Sequence, residues 1–499
     1  MEPVVKHKRQ NFFHQLIKFI RNFFKKDCCK ILLLIVLLSL TTKILFAQDM
    51  PGMNTPKDTT KKSENMNMPK DTTKKSKNMN MTMDSMNMSM DMPMDSMNMK
   101  MTSSFSPNLS MNRDGSGTSW QPDANPMMMY MKMKGKNMYM FHGFLFLRYT
   151  SQDITNESTR GGDHFDAPSM FMFMMSHQFN QNNLFSFISM ISFDPFMVGA
   201  AGYPLLFQTG ESYKGVPLVD RQHPHDLFAE LAVNYTHSFS KDIDLSAYVG
   251  YPGEPAIGPV VFMHRLSAMN DPDAPLGHHW QDATHITFGV GTLGFRYKVV
   301  KIEGSIFTGR EPNENRYDFD KPRFDSYSYR VNLNPNKNFA LQFSQGFIKS
   351  PEDLFPNENI TRTTASIIHT KLLKHGKFIS SSLVWGMNHS SEGNNLQSVL
   401  LESNLKLAPI TVYGRCEFVQ KDAHELNLAD LENDPTFNIS ALALGLNRSL
   451  FTHFKTELSL GVQGTIDFPA PYLKTLYGNH PLSAEVYLKI APASGHHHH

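Results

Sequence analysis

Residues Ser326 to Leu333 alternate without a break: Tyr327, Tyr329, Val331 and Leu333 are apolar, while Ser326, Ser328, Arg330 and Asn332 are polar or charged. A period of two marks a strand with one face against an apolar medium. The pattern returns in Phe339, Leu341 and Phe343, and again near the C-terminus, where Ala484, Val486, Leu488 and Ile490 oppose Ser483, Glu485, Tyr487 and Lys489. A soluble sandwich alternates in the same way, so the connections must decide. About sixteen such segments (14 to 18) follow one another between residues 138 and 490. Short links such as Gln181-Asn182-Asn183, Ser240-Lys241-Asp242 and Arg448-Ser449 alternate with long ones such as 195–226, 251–283, 309–323 and 422–435. Strands near the ~9–11 residues that cross a tilted bilayer, with tight turns on one side and long loops on the other, predict an all-β fold: a transmembrane antiparallel up-and-down barrel. Closure leaves no unpaired edge. An even strand number returns both chain ends to the short-turn side.

The N-terminus supplies an address. A basic region (Lys6 to Lys30) precedes the apolar run Ile31–Leu40, and Ala47 offers a cleavage position, so residues 1–47 read as a signal peptide. Its removal leaves 39 basic against 44 acidic side chains, a net charge of about −5 that disfavours nucleic acid as a partner. Cys28 and Cys29 precede the apolar run, where a lipid-anchoring cysteine would have to follow it. Residues 48–119 form a low-complexity leader in which PKDTTKKSENMNM (56–68) recurs as PKDTTKKSKNMNM (69–81). It has too few core-forming residues to fold alone. Residues 120–137 then connect it to the barrel (138–490), and 491–499 end in His496–His499, a tag or a native tail.

In these features, including YSYRVNL, NFALQFSQGF, VYGRCEFVQK and LSAEVYLKI, the chain resembles Gram-negative outer-membrane β-barrel proteins. The Met-rich leader together with SGTSWQPD (116–123), RGGDHFDAP (160–168), DRQHPHD (220–226) and GHHWQDATH (277–285) also resembles a group of barrels associated with copper or other heavy-metal handling. The resemblance implies a cell outer-membrane location with the leader in the periplasm. It says almost nothing about cargo.

Three constellations are candidates for chemistry. Between residues 79 and 101 methionine occupies 11 of 23 positions: Met79, Met81, Met83, Met86, Met88, Met90, Met92, Met94, Met97, Met99 and Met101. Thioether sulfur is soft, uncharged and proton-free, which suits copper(I) or silver(I) bound as cargo rather than as a required cofactor. The bland alternative is a solvated tether. A second methionine group, from Met127 to Met140 and Met170 to Met175, extends a soft path toward the barrel or packs against lipid, and the alternation places only half of it inside. Among the histidines, His223, His225, His278, His279 and His285, close in sequence to Asp220, Asp226, Asp271, Asp273 and Asp282, have the imidazole–carboxylate composition of metal sites. The competing reading is a hydrogen-bonded network that fixes the loops. Thirdly, Arg330, Arg415, Glu417, Glu485 and Lys489 fall on polar faces and are expected to line an aqueous or plugged lumen.

No GxSxG, HExxH or phosphate-binding glycine loop is present, and Ser267, His264 and His389 have no distinctive spacing, so an enzyme is not expected. The sequence therefore predicts a barrel that binds, sequesters or passes soft metal ions. A general or substrate-specific porin, or a surface interaction protein, is the alternative. Outer-membrane lipid, metal ions and periplasmic metal-handling proteins are the expected partners.

Overall fold

The computed structural model describes residues 101–494 except 157, 158, 392, 394, 429, 430, 432 and 433. The signal peptide, the leader up to residue 100 and the tail from 495 lie outside the described residues. Sixteen full staves form one closed sheet. They are β1 (Asn137–Gln152), β2 (Ser169–Gln178), β3 (Asn183–Ile191), β4 (Phe228–Ser240), β5 (Ile243–Gly250), β6 (Val290–Tyr297), β7 (Val300–Phe307) and β8 (Ser326–Asn336), followed by β9 (Phe339–Lys349), β10 (Asn359–Leu372), β11 (Phe378–Ser390), β12 (Asn395–Lys406), β13 (Ile410–Lys421), β14 (Phe437–His453), β15 (Thr456–Phe468) and β16 (Leu482–Pro492). Every neighbouring pair is antiparallel, and β16 closes on β1 from Ala484 opposite Ser151 to Ile490 opposite Leu145. Two short segments, Tyr130–Lys134 and Gly162–Asp166, extend the sheet beside the lower and upper halves of β1.

The turn expected at Arg448-Ser449 is displaced. There β14 runs on to His453 and turns at Phe454-Lys455, because exposed Phe451 and Phe454 continue the outward apolar face toward the rim. Elsewhere on the outer face Leu293, Ile302, Ile306, Tyr327, Leu446 and Val462 are likewise exposed. A belt of that extent is costly in water and is the ordinary lipid-facing surface of a spanning barrel.

The inner face is polar, and sixteen strands enclose more space than their own side chains fill. Three segments of the chain fill it. On the short-turn side, Thr102–Ser103 pairs with Ser106–Ser110, and the chain continues through Trp120 to Asn125. Sequence placed residues 102–119 in the leader and 120–137 in a connector. Instead, residues 102–125 dock on the wall, because their serines, threonines and carbonyls satisfy its inward polar groups. Ser186 of β3 donates to the Ser104 carbonyl (2.6 Å), Thr236 of β4 to the Phe105 carbonyl (3.0 Å) and Arg330 of β8 to Thr118 (2.9 Å). Trp120 lies between the cations of Arg113 (4.8 Å) and Lys301 (5.0 Å).

The middle segment, 253–286, descends from the long-loop side and is almost wholly buried. Arg265 anchors it, donating to Asp282 (2.8 Å) in the same segment and to Glu402 of β12 (2.7 Å). Gly386 of β11 lets it approach: a Cβ there would lie 2.1 Å from the Trp280 carbonyl oxygen. The upper segment, 194–226, packs Leu205, Leu206 and Phe207 against Leu426, Phe437 and Tyr477, with Phe207 stacked on Tyr477 at 4.1 Å. The five polar-face residues named from sequence all point inward and hold these segments or their neighbours. Arg330 pairs with Glu303 (3.0 Å), Arg415 with Asp271 (3.2 Å) and Glu402 (3.3 Å), and Glu485 lies 3.8 Å from Arg148. Glu417 accepts from the Leu276 amide (2.8 Å), and Lys489 donates to Asn270 (3.1 Å).

Glu254, in the middle segment, accepts from Ser116 (3.1 Å) and faces Arg330 at 3.7 Å. Burial pushes its pKa up to about 8; Arg330 and Ser116 oppose the rise, and Glu230 and Asp282 add to it. The folded chain therefore keeps this proton from about the ordinary value of 4.5 up to about 8, while the unfolded chain releases it. Stability from this group is lost as pH rises through that window. Glu254→Gln is expected to match the parent near pH 5 and to unfold at a higher temperature than the parent at pH 9, as read by thermal melts in detergent.

Candidate metal centre

The upper and middle segments meet around five histidines. His223 and His225 flank Pro224 in the coil before β4, and the single helical turn His278–Gln281, followed by Ala283–His285, presents His278, His279 and His285. Ring centroids are 5.3 Å apart for His278–His279 and His278–His285, 5.5 Å for His225–His285, 5.6 Å for His223–His279 and 6.2 Å for His223–His278. Gly210, at φ +104°, makes the closeness possible: a Cβ there would sit 2.3 Å from the His279 ring.

Each ring faces an oxygen from its Nδ1 side. His278 Nδ1 lies 2.7 Å from Asp282, His225 Nδ1 2.7 Å from Asp194, His223 Nδ1 3.1 Å from Glu211 and His279 Nδ1 3.6 Å from Glu311. His285 Nδ1 lies 2.9 Å from the Asp282 carbonyl. At His278 and His285 the partner is an ionised carboxylate and a carbonyl, which only accept, so the proton sits on Nδ1 and Nε2 carries the lone pair. All five Nε2 atoms are buried without a hydrogen-bond partner. An unsatisfied buried polar atom costs ~1–3 kcal/mol, so five together are an expensive arrangement unless something accepts their lone pairs.

Three of the rings are held neutral. Burial lowers the pKa of His223, His278 and His285, with neighbouring histidines adding to the effect and Asp282 opposing it at His278 and His285. The carboxylates divide. Desolvation would raise Asp282, but His278 and Arg265 hold it below the usual range. Glu311 is held down against desolvation by His279, Arg362 and His278. Desolvation raises Glu211 to about 7 despite Arg316, which bonds it and lies 3.3 Å from Asp226.

This donor set fits a metal ion. Ring nitrogens of His223, His278 and His279 lie within 4.8 Å of one another. Three such atoms are at most about 2.8 Å from a common centre, so shifts under ~1 Å reach the ~2.0–2.1 Å of a metal–imidazole bond. Neutral imidazoles backed by carboxylates at Nδ1 are the usual outer support of such sites.

The other sequence candidates go elsewhere. Asp220 receives Arg160 (3.0 Å) and Tyr477 (3.0 Å), Asp271 pairs with Arg415, and Asp273 with Arg148 (2.7 Å). Met79 to Met99 lie outside the described residues, and Met101 is exposed where the described chain begins. Sequence missed Asp194, Glu211 and Glu311, which come from other loops and carry no local signature. Cavities flank the centre: one of about 500 Å³ on the long-loop side reaches Glu211 and Glu311, and a small one of about 40 Å³ is lined by His223, His225 and Met263.

With this geometry in hand, no family model matches the chain, and no curated protein matches it either. Among solved structures it is similar to OmpF of Salmonella typhi in complex with daunomycin (9% identity, TM-score 0.44, covering 72% of this chain and 100% of that one). It is also similar to a loop-deletion mutant of OmpT, an outer membrane protein of Vibrio cholerae (6%, 0.41, 71% and 99%), and to an anion-selective porin from Comamonas acidovorans (10%, 0.41, 71% and 99%). These likenesses are loose, and the architecture stands on the chain's own strand pairing. The protein is a closed antiparallel β-barrel of sixteen full staves, with a lipid-facing outer belt and its lumen occupied by its own chain.

Asp282 holds His278 through its carboxylate and His285 through its carbonyl. Asp282→Asn is expected to leave barrel assembly intact, as judged by heat-modifiable gel mobility, and to weaken divalent-metal binding by roughly 10–100-fold in calorimetry.

Proposed function

We propose that this barrel is a metal-handling protein of the outer membrane that holds a transition-metal ion at the buried histidine centre. One observation carries the reading: five imidazoles packed together, each with Nδ1 facing an oxygen and each with a buried, unpartnered Nε2. A network meant only to fix loops would pair those nitrogens, since each unpaired one destabilises the fold. Imidazole suits copper, zinc, nickel and iron. The methionine-rich leader favours copper among them, because copper also takes thioethers in its lower oxidation state. Cavities on both sides of the centre support exchange of the ion with the two mouths, and periplasmic metal-handling proteins are the proposed partners on the leader side.

The test is metal binding by the purified full chain in detergent. Titration with Cu(II) and with Co(II) is expected to give a chelator-competitive site with the ligand-field spectrum of nitrogen coordination. Replacing His223 and His278 together by Ala should abolish the spectrum while the barrel still folds. An unchanged spectrum in that variant, or none in the parent, would overturn the reading.

A second reading, a substrate-specific porin, is favoured by the frame itself and by the 500 Å³ cavity at the long-loop mouth, where Arg310, Arg323, Asp320 and Asp353 mix both signs of charge. Planar-bilayer recordings separate the two. Steady open-channel conductance independent of added metal belongs to the porin, and a closed barrel to metal handling.

A further inference from the structure

The histidine centre does not use a second group of soft side chains on the short-turn side. The inward faces of β1, β2 and β3 carry them in register: His142 lies opposite Met172 and Met140 opposite Met174 across β1–β2, and Met172 lies opposite Met190 across β2–β3. Directly opposed pairs hold their Cβ atoms ~4.5–5.5 Å apart, so His142, Met172 and Met190 form one continuous row. The middle segment adds His264 from above, its ring 5.9 Å from that of His142 and its Nε2 3.4 Å from the Met190 sulfur. Behind the row a cavity of about 130 Å³ is lined by Met140, Met172, Met174 and Met263 together with both imidazoles.

We propose that this row is a second metal site, selective for a soft monovalent cation such as Cu(I) or Ag(I), with His142, Met172, Met190 and His264 as a two-nitrogen, two-sulfur donor set. Packing alone accounts for the methionines but not for the two histidines among them. His142 Nδ1 is 2.8 Å from the Met128 carbonyl, so its proton is committed there and Nε2 carries the lone pair. Nε2 of His264 has a thioether sulfur as its neighbour, a weak hydrogen-bond acceptor. A 3.4 Å nitrogen–sulfur separation also matches two ligands of one ion, since bonds of ~2.1 and ~2.3 Å at a tetrahedral angle place their atoms about 3.6 Å apart. Thioethers carry no charge to neutralise, so the site favours a monovalent, polarisable ion over a hard divalent one. Met263 lines both this cavity and the small one beneath His223 and His225, so the two sites share a wall.

The site stands on residues separate from the histidine centre and is tested separately. Crystals of the full chain soaked in silver nitrate are expected to show an anomalous peak among His142, Met172, Met190 and His264. In solution, Met172→Leu with Met190→Leu, which conserves apolar volume, should lose one equivalent of chelator-competitive Ag(I) while leaving the Co(II) spectrum of the histidine centre unchanged. Silver found only at the histidine centre or along the leader, or an unchanged Ag(I) stoichiometry in a double variant that assembles normally, would overturn the proposal. A missing Co(II) spectrum beside a silver peak in the row would instead count against the histidine-centre reading alone.

Discussion

Everything inside this barrel follows from one constraint: the inward face of a sixteen-stranded sheet is polar, and its partners must come from somewhere. In lipid the strands have no freedom to tuck that face away, because the backbone ladder has to close on itself and alternation fixes which side chains point in. A lumen of this width admits water or protein. Here it holds protein. Arg148, Arg330 and Arg415 reach inward from the wall with no exposed surface to speak of, and each meets a carboxylate or carbonyl of a lumenal segment or of the wall beside it. A buried guanidinium left alone would be strongly destabilising, on the order of 3–5 kcal/mol when a partner is removed, so the wall and the segments are mutually obligatory.

That obligation explains why loops 194–226 and 253–286 are ordered enough to build a site. A long loop free in solvent would have to lose considerable conformational freedom to hold five rings together. In the lumen this ordering accompanies the docking that Arg265, Phe207 and Tyr477 enforce. The ring geometry then depends on groups far apart in sequence: Asp194 after β3, Glu211 before the Pro224 turn, Asp282 in the middle segment and Glu311 after β7.

The frame was the legible part of the sequence. Period-two alternation and the rhythm of short and long links depend on local chemistry alone, and they located sixteen strands, most of them to within a few residues; β14 overruns through aromatic residues at the rim, and β6 begins at Val290 rather than directly after 283, because 284–289 still belongs to the descending loop. The histidines were visible as a composition, because DRQHPHD and GHHWQDATH stand out from ordinary loops. Of their carboxylate partners only Asp282 was; Asp194, Glu211 and Glu311 lie in other loops, while Asp220, Asp271 and Asp273, named from sequence, are drawn off by Arg160, Arg415 and Arg148. Convergence of separate loops is a tertiary fact with no signature in any one segment. The plug at 102–125 was missed for a related reason. A serine-rich, low-hydropathy stretch reads as solvated, and its serines and carbonyls become good packing material only opposite a polar wall.

The donors change character along the lumen. Carboxylates Glu211, Glu311 and Glu352 face the long-loop cavity, imidazoles follow at mid-lumen, and thioethers with two more imidazoles line the cavity on the short-turn side. Oxygen donors favour hard or hydrated cations, imidazoles borderline ones and thioethers soft ones. A cation stripped of water in the barrel interior faces a desolvation penalty of several kcal/mol, and a series of fixed donors reduces it at each step without the barrel having to open wide. Under the proposed reading, such a series also discriminates. A hard ion such as magnesium gains nothing beyond the carboxylates, whereas an ion that accepts nitrogen and sulfur finds partners along the full depth of the barrel.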